Sequence, residues 1–265
     1  MLTNMAQDQN WSAKHYAENA SFVPQLTTEI VGLLDVETDD RILDLGCGDG
    51  VLTRKISHKC KSIIGIDSSA NMIAAAKQLG VDARVISGQE LVSTPDLQQE
   101  DFDKVFSNAA LHWILRNEPD TTIQGVYRAL KNGGKLVAEL GGFGNCADVC
   151  TALRSVLLRR GISMAAIEEA NPWIFPSEHV MSEMLTRNGF QVQSITRTYR
   201  STELPGNIKR WFEIFAGAFL KLVSEGEKNA VLDELEQILR GSCQREDGKW
   251  FVGYVRLRVV AIKNV

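Results

Sequence analysis

Five short apolar runs recur between residues 41 and 140, and three segments between them carry helical spacing. The runs are RILDL (41–45), SIIGID (62–67), ARVISG (83–88), DKVFSN (103–108) and GKLVAEL (134–140). Runs this short and continuous suit strands buried on both faces. Between them, VLTRKISHK, SANMIAAAKQLG and EPDTTIQGVYRALKNGG read as helices. Ser68 and Ser69 are candidate N-caps of the second helix and Gly80 is its candidate C-cap. Strand and helix in alternation impose right-handed crossovers and a parallel sheet covered on both faces.

Past residue 141 the rhythm changes. NCADVCTALRSVLLRRG reads as a helix, NPWIFPS as an aromatic loop, SEHVMSEMLTRNGF as a capped helix and QVQSITRTYR as an alternating strand. NIKRWFEIFAGAFLKLV and EKNAVLDELEQILRG read as two amphipathic helices, the second expected to be charged surface, ahead of a closing strand WFVGYVRLRVVAIK. The expected fold is α/β: a Rossmann-like, seven-stranded mixed sheet, mostly parallel, with helices on both faces and a helical cap inserted between the last two strands. We expect a single domain over 1–265, with the cap formed by about 1–30 and 203–242.

A chain of 265 residues is long enough to bury the core of one large α/β domain. The formal charge of −4 supplies no electrostatic reason for a nucleic acid partner. The five cysteines are odd in number and lack a CxxC pair. Cys146 and Cys150 are four apart without further close ligands, so no metal is expected, and scattered reduced thiols point to a cytosolic protein. The polar N-terminus MLTNMAQDQNWSAKHYAENA has no signal-peptide core, and no apolar run approaches the roughly 20 residues that span a membrane.

The first strand runs into Gly46-Cys47-Gly48-Asp49-Gly50. Glycines at a strand-to-helix turn of a parallel sheet give unusual backbone angles and close ligand approach, at the crevice where nucleotides bind. Dinucleotide sites use GxGxxG with a pyrophosphate on the helix N-terminus. Here the spacing is GxGxG, and Asp44 stands two residues ahead of the first glycine, well placed for a cation and poorly placed for a pyrophosphate. Asp67 closes the second strand, where an acid can take two ribose hydroxyls. A nucleoside carrying an amino-acid tail and no phosphates fits both acids, and S-adenosylmethionine is such a molecule.

With LDLGCGDG (43–50), GIDSSANMI (65–73), FDKVFSNAALHW (102–113) and LKNGGKLVAELGG (130–142), the chain resembles the class I S-adenosylmethionine-dependent methyltransferases. SNAALHW, ELGGFGN (139–145), NPWIFPS (171–177) and the terminal DGKW…YVRLRVVAIK make it most similar to the trans-aconitate methyltransferase-like small-molecule group. The resemblance implies that the backbone of Gly46, Cys47 and Gly48 cradles the methionine part of the cofactor, with Asp44 near its ammonium group. It further implies Asp67 on the ribose, Ser68 and Met72 along the adenine, Gln89 at the adenine edge and Asn108 near the methionine portion. Tyr16 is expected to close over that end.

His112 and Trp113 follow the fourth strand, on the rim where acceptors bind in this class. His112 is the candidate catalytic residue, either deprotonating the acceptor or orienting it, with packing as the alternative role. Trp113, Trp173 and Trp211 are candidate pocket walls, since small-molecule pockets are mostly apolar. Arg200, Arg256 and Arg258 are candidate carboxylate forks. Arg256 and Arg258 share one strand face that is expected to be solvated. The expected activity is methylation of a small molecule, at a carboxylate or hydroxyl oxygen, by in-line transfer, in a monomer or homodimer. A nucleic acid or protein methyltransferase is the alternative, although residues 108–111 read NAAL and lack the Asn/Asp-Pro-Pro-aromatic tetrad for an exocyclic amine. A cofactor-binding homologue without turnover is the third reading.

Overall fold

The structure, a computed structural model, describes residues 28–98 and 101–264. Seven strands form one sheet in the order β3-β2-β1-β4-β5-β7-β6. They are β1 (Arg41–Leu45), β2 (Ser62–Asp67), β3 (Asp82–Val85), β4 (Phe102–Asn108), β5 (Leu130–Gly141), β6 (Phe190–Glu203) and β7 (Phe251–Lys263). The pairs β1–β2, β1–β4, β2–β3 and β4–β5 are parallel, and β7 runs antiparallel to β5. The expected seven-stranded mixed sheet is therefore the observed one. Eleven helices accompany it among the described residues: α1 (Thr28–Leu34), α2 (Val51–Ser57), α3 (Ala70–Gln78), α4 (Leu111–Ile114), α5 (Pro119–Ala129), α6 (Ala147–Arg159), α7 (Met164–Ala170), α8 (Glu178–Arg187), α9 (Ile208–Phe215), α10 (Gly217–Leu220) and α11 (Glu225–Cys243).

Chain contacts divide the molecule into two compact units. The sheet unit holds the described residues up to Phe143 together with Trp173–Thr198 and Arg256–Val265. Its core follows from the two-residue alternation of side chains along a strand. Leu43, Val105, Leu136, Ala138, Leu257 and Val259 join one apolar layer with Leu111, Ile123, Val126 and Met181 from α4, α5 and α8. Their neighbours Ile42, Phe106, Val137 and Val260 join the opposite layer with Ile30, Leu34 and Ile56 from α1 and α2. Alternate residues thus feed opposite faces, which is why the strand segments read as continuous apolar runs.

The helical unit comprises Gly144–Pro172 and Tyr199–Val255. Its α11 is more than charged surface, because Val231, Leu232, Leu235 and Leu239 are buried. The apolar pattern over 207–223 is expressed as two helices, α9 and α10, interrupted at Ala216 just before Gly217, a weak helix former. Three more boundaries move. The helix expected to run through 134 stops at Ala129, and β5 begins at Leu130 with a register shift opposite Phe102 and Lys104. Of the two candidate N-cap serines, Ser69 accepts from the Met72 N–H (3.4 Å). Leu79, not Gly80, is the C-cap of α3, and Gly80 follows it at φ +77°. All five cysteines are free thiols.

Candidate functional site

The glycine loop lies at the carboxyl end of β1, and its three glycines do different things. Gly46 (φ +78°) leaves no room for a side chain, because an added Cβ would come within 2.2 Å of the Ala110 Cβ in the turn after β4. Gly48 (φ +57°) faces open space, with nothing within 4 Å of the position a Cβ would take. The N–H groups of Gly46 and Cys47 both donate to the Ile66 carbonyl at the end of β2 (2.8 and 3.0 Å). The Gly48 N–H donates to Asp67 Oδ2 (3.1 Å). The loop therefore spends its donors on holding itself against β2, and it offers a ligand space at Gly48 rather than free N–H groups.

Two carboxylates flank this space. Asp44, only 3 % exposed, accepts from Thr53 Oγ1 (2.6 Å), and burial together with the nearby Asp67 charge pushes it up to about 7 against the opposing pull of that hydrogen bond. Among the described residues no lysine or arginine pairs with it. Asp67 is also raised by burial, offset by N–H bonds from Ser69 (2.8 Å) and Gly48. Burial and the same two acids push the Cys47 thiol far up, so it stays protonated beside Gly65. Asn108, at the end of β4, keeps a buried Oδ1 with no hydrogen-bond partner. Buried carboxylates short of a cation, an unsatisfied amide oxygen and bare space at Gly48 match S-adenosylmethionine, which brings an ammonium, a sulfonium and hydroxyl donors.

The remaining expected cofactor residues are distributed around that loop less uniformly. Ser68 is exposed, and Met72 is buried in the first turn of α3. Gln89 points its amide nitrogen at the carbonyls of Ile114 (2.8 Å) and Asn117 (3.1 Å), so that end of the side chain fastens α4 and the following turn. Tyr16 lies outside the described residues.

In α4, just after β4, on the side expected to be the acceptor rim, His112 is 7 % exposed, and its Nδ1 accepts the Gly141 N–H at 3.2 Å. A neutral imidazole with Nδ1 as acceptor carries its proton on Nε2. Burial, reinforced by the positive charge of Arg256, pushes its pKa down to about 3. His112 is thus a neutral hydrogen-bond donor with no free basic nitrogen. Its ring lies 5.6 Å from Trp113 and 5.9 Å from Phe175. Trp173 stacks on Phe175 (5.8 Å) and meets Trp113 edge-on (5.7 Å), so the aromatic loop expected from NPWIFPS packs against the turn after β4.

Sequence reasoning missed the charged layer beside this rim. Arg256 and Arg258 are not on a solvated face: Arg256 is 4 % exposed, and Glu139 lies between the two, 2.7 Å from Arg258 Nε and 3.8 Å from Arg256 Nε. Arg258 also pairs with Glu29 of α1. The available signal was the strand register, which sets Glu139 opposite Arg258 and Gly141 opposite Arg256. In the helical unit, Trp211 is buried against Phe212 and Phe215, and its indole N–H donates to the Tyr254 hydroxyl (2.7 Å), which makes it a core residue of that unit. Arg200 is half-buried there as well. Among the described residues no cluster of His, Cys, Asp and Glu could hold a metal ion, and no helix is long and apolar enough to cross a membrane.

Comparison with known proteins agrees with the loop geometry. Residues 43–138 match a family described as a methyltransferase domain. Uncharacterized methyltransferase C70.08c of Schizosaccharomyces pombe is 43 % identical over 256 residues, which is 96 % of this chain and 98 % of the relative. Trans-aconitate 2-methyltransferase of Mycolicibacterium gilvum is 28 % identical over 268 residues, covering 96 % of this chain and 100 % of that one. A solved structure of a Haemonchus contortus phosphoethanolamine N-methyltransferase with S-adenosylhomocysteine shares the fold at a TM-score of 0.57 and 17 % identity, over 96 % of this chain and 57 % of that one. The chain belongs to the class I S-adenosylmethionine-dependent methyltransferases, and S-adenosylmethionine is its cofactor.

Proposed function

We propose that this methyltransferase acts on a small molecule and transfers the methyl group to a carboxylate oxygen. The observation that carries the reading is the Gly141 N–H bond to His112 Nδ1 on a buried ring. A hydroxyl or amine acceptor must lose a proton, and His112 has no lone pair with which to take it. A carboxylate arrives ionised, needs no base, and accepts a hydrogen bond from the Nε2–H. Arg256 adds positive charge beside the same ring. Trans-aconitate, named for the Mycolicibacterium relative, is a carboxylate-bearing compound and an apt first probe.

When bound, the cofactor supplies an electrophilic methyl on a sulfonium. The protein contributes position and electrostatics. Asp44 and Asp67 would hold the two polar ends of the cofactor, Asn108 Oδ1 would accept from its methionine part, and the space at Gly48 would admit it. His112 orients one acceptor oxygen, while Trp113, Trp173 and Phe175 keep the rim apolar. Holding nucleophile and methyl in line accounts for much of the rate such enzymes gain.

The test is an assay of S-adenosylhomocysteine release against small di- and tricarboxylates, hydroxy acids and amines, with mass spectrometry of the product. Methyl ester formation supports the reading, whereas turnover only with amines overturns it. With the active acceptor, His112→Ala should lower kcat about tenfold or raise KM, short of the 10²–10⁴-fold loss expected for a general base. At saturating S-adenosylmethionine, the wild-type kcat should show no acid limb between pH 5.5 and 7.

A further inference from the structure

Thr53 is the third residue of α2 and is fully buried. A threonine in a helix ordinarily turns its hydroxyl back onto a carbonyl of the preceding turn. Here the hydroxyl donates to Asp44 Oδ2 at 2.6 Å, across to β1. The strands on either side of Asp44 contribute no charge at its level, since Gly65 of β2 and Phe106 of β4 are its partners in register. The titratable groups facing it are Asp67 from β2, whose charge makes a second negative charge harder to hold there, and the Cys47 thiol from the loop, which stays protonated. Thr53 is therefore the one side chain among the described residues that donates to Asp44.

We propose that Thr53 is a positioning residue for cofactor binding: its hydroxyl fixes one oxygen of Asp44 and leaves the other for the ammonium group of the cofactor's amino-acid end. The proposal rests on Asp44 meeting that end of the cofactor. It has a proton-linked consequence. Buried beside a second acid, Asp44 sits at about 7 in the cofactor-free protein, and a bound cation favours its ionised form. Binding therefore expels a proton near neutral pH, and affinity falls as pH drops through that range. Removing the Thr53 donor takes away the one contact that favours the carboxylate, so the loss of affinity sets in at higher pH.

The experiment is isothermal titration with S-adenosylmethionine from pH 6 to 9 on wild type, Thr53→Val, Thr53→Ala, Thr53→Ser and Asp44→Asn, each checked for its melting transition. The quantity read is the ratio of variant to wild-type Kd, in which titration of the ligand's own amine cancels. For Thr53→Val and Thr53→Ala this ratio should be about 10 at pH 6.5, the effect of losing a hydrogen bond to a charged group, and should narrow towards pH 9. Thr53→Ser, which keeps the hydroxyl, should track wild type. A Val or Ala ratio near 1 throughout, or one that is flat with pH and shared by Thr53→Ser, overturns the proposal. Asp44→Asn should bind weakly with no such narrowing. If it binds like wild type, the assignment of Asp44 to the cofactor fails, and the Thr53 result is not needed to see it.

Discussion

The ends of β1 and β4 bury opposite kinds of ionisable group under the same physical penalty. At the end of β1, Asp44, with Asp67 from the neighbouring end of β2, has a threonine hydroxyl and backbone N–H donors for partners, and burial drives both acids upward. At β4, His112 sits near Arg256, and burial drives it down to about 3. Desolvation disfavours the charged form in each case, so it raises acids and lowers bases. What differs is the charge each end wants from a ligand. The first is short of a cation, and the second sets a neutral ring beside the positive charge of Arg256. A cationic methyl donor complements the first, and the carboxylate acceptor proposed above would complement the second.

The comparison breaks most visibly at Gly48. A Cβ there meets nothing, although φ +57° strains any side chain, so Gly48→Val should fold at some cost in stability and show no binding of S-adenosylmethionine detectable by titration calorimetry. A folded Gly48→Val variant that binds like wild type would remove the cofactor from this loop. Gly46→Ala separates the two roles of glycine in one motif. Its Cβ collides with Ala110 at a backbone angle that already disfavours side chains, so denaturant unfolding should show a loss of about 2–4 kcal/mol.

Asp67→Ala comes next. Losing a hydrogen-bonded carboxylate at the cofactor should cost about 1–3 kcal/mol in binding. Part of that cost would come from the Gly48 N–H, which donates to the same carboxylate and would lose its acceptor.

The smallest effect sharpens the electrostatic half of the comparison. Asp44 is raised in the folded protein to about 7, so the fold gives up stability as pH climbs from the ordinary carboxylate value towards 7, and the cost levels off above it. Asp44→Asn removes the ionisation. The cofactor-free variant should melt above wild type by about 2–4 °C at pH 8, with the gap shrinking towards pH 4. Scanning calorimetry at several pH values checks it, and a gap that widens on acidification would reverse the sign assigned to Asp44.

Much of the scaffold was legible because its signals are local. The run 41–45 is β1 to the residue, and 62–67 is β2. Asp44 and Asp67 were legible as candidates because each sits at a strand end whose position follows from the apolar pattern. Arg256 and Arg258 were misread as solvated because alternation along one strand gives a face but not its cover. That cover depends on Glu139 in the neighbouring strand and on α1, which supplies Glu29. Gly46 was read as room for a ligand, when the atom it makes room for is Ala110, 64 residues later in the chain. The break between α9 and α10 was hidden because the apolar spacing continues through it.

By itself the sequence determined the order of strands and helices, the turn at which a cofactor can approach, and the two acids beside it, because apolar period, glycine and strand-end position act within a few residues. Only the tertiary structure decided what His112 can do. Its Nδ1 is taken by the N–H of Gly141, 29 residues away, and its charge is suppressed by burial and by Arg256 from the last strand. Protonation state and tautomer are set by which groups surround a ring in space, and those groups come from strands that the linear chain keeps far apart.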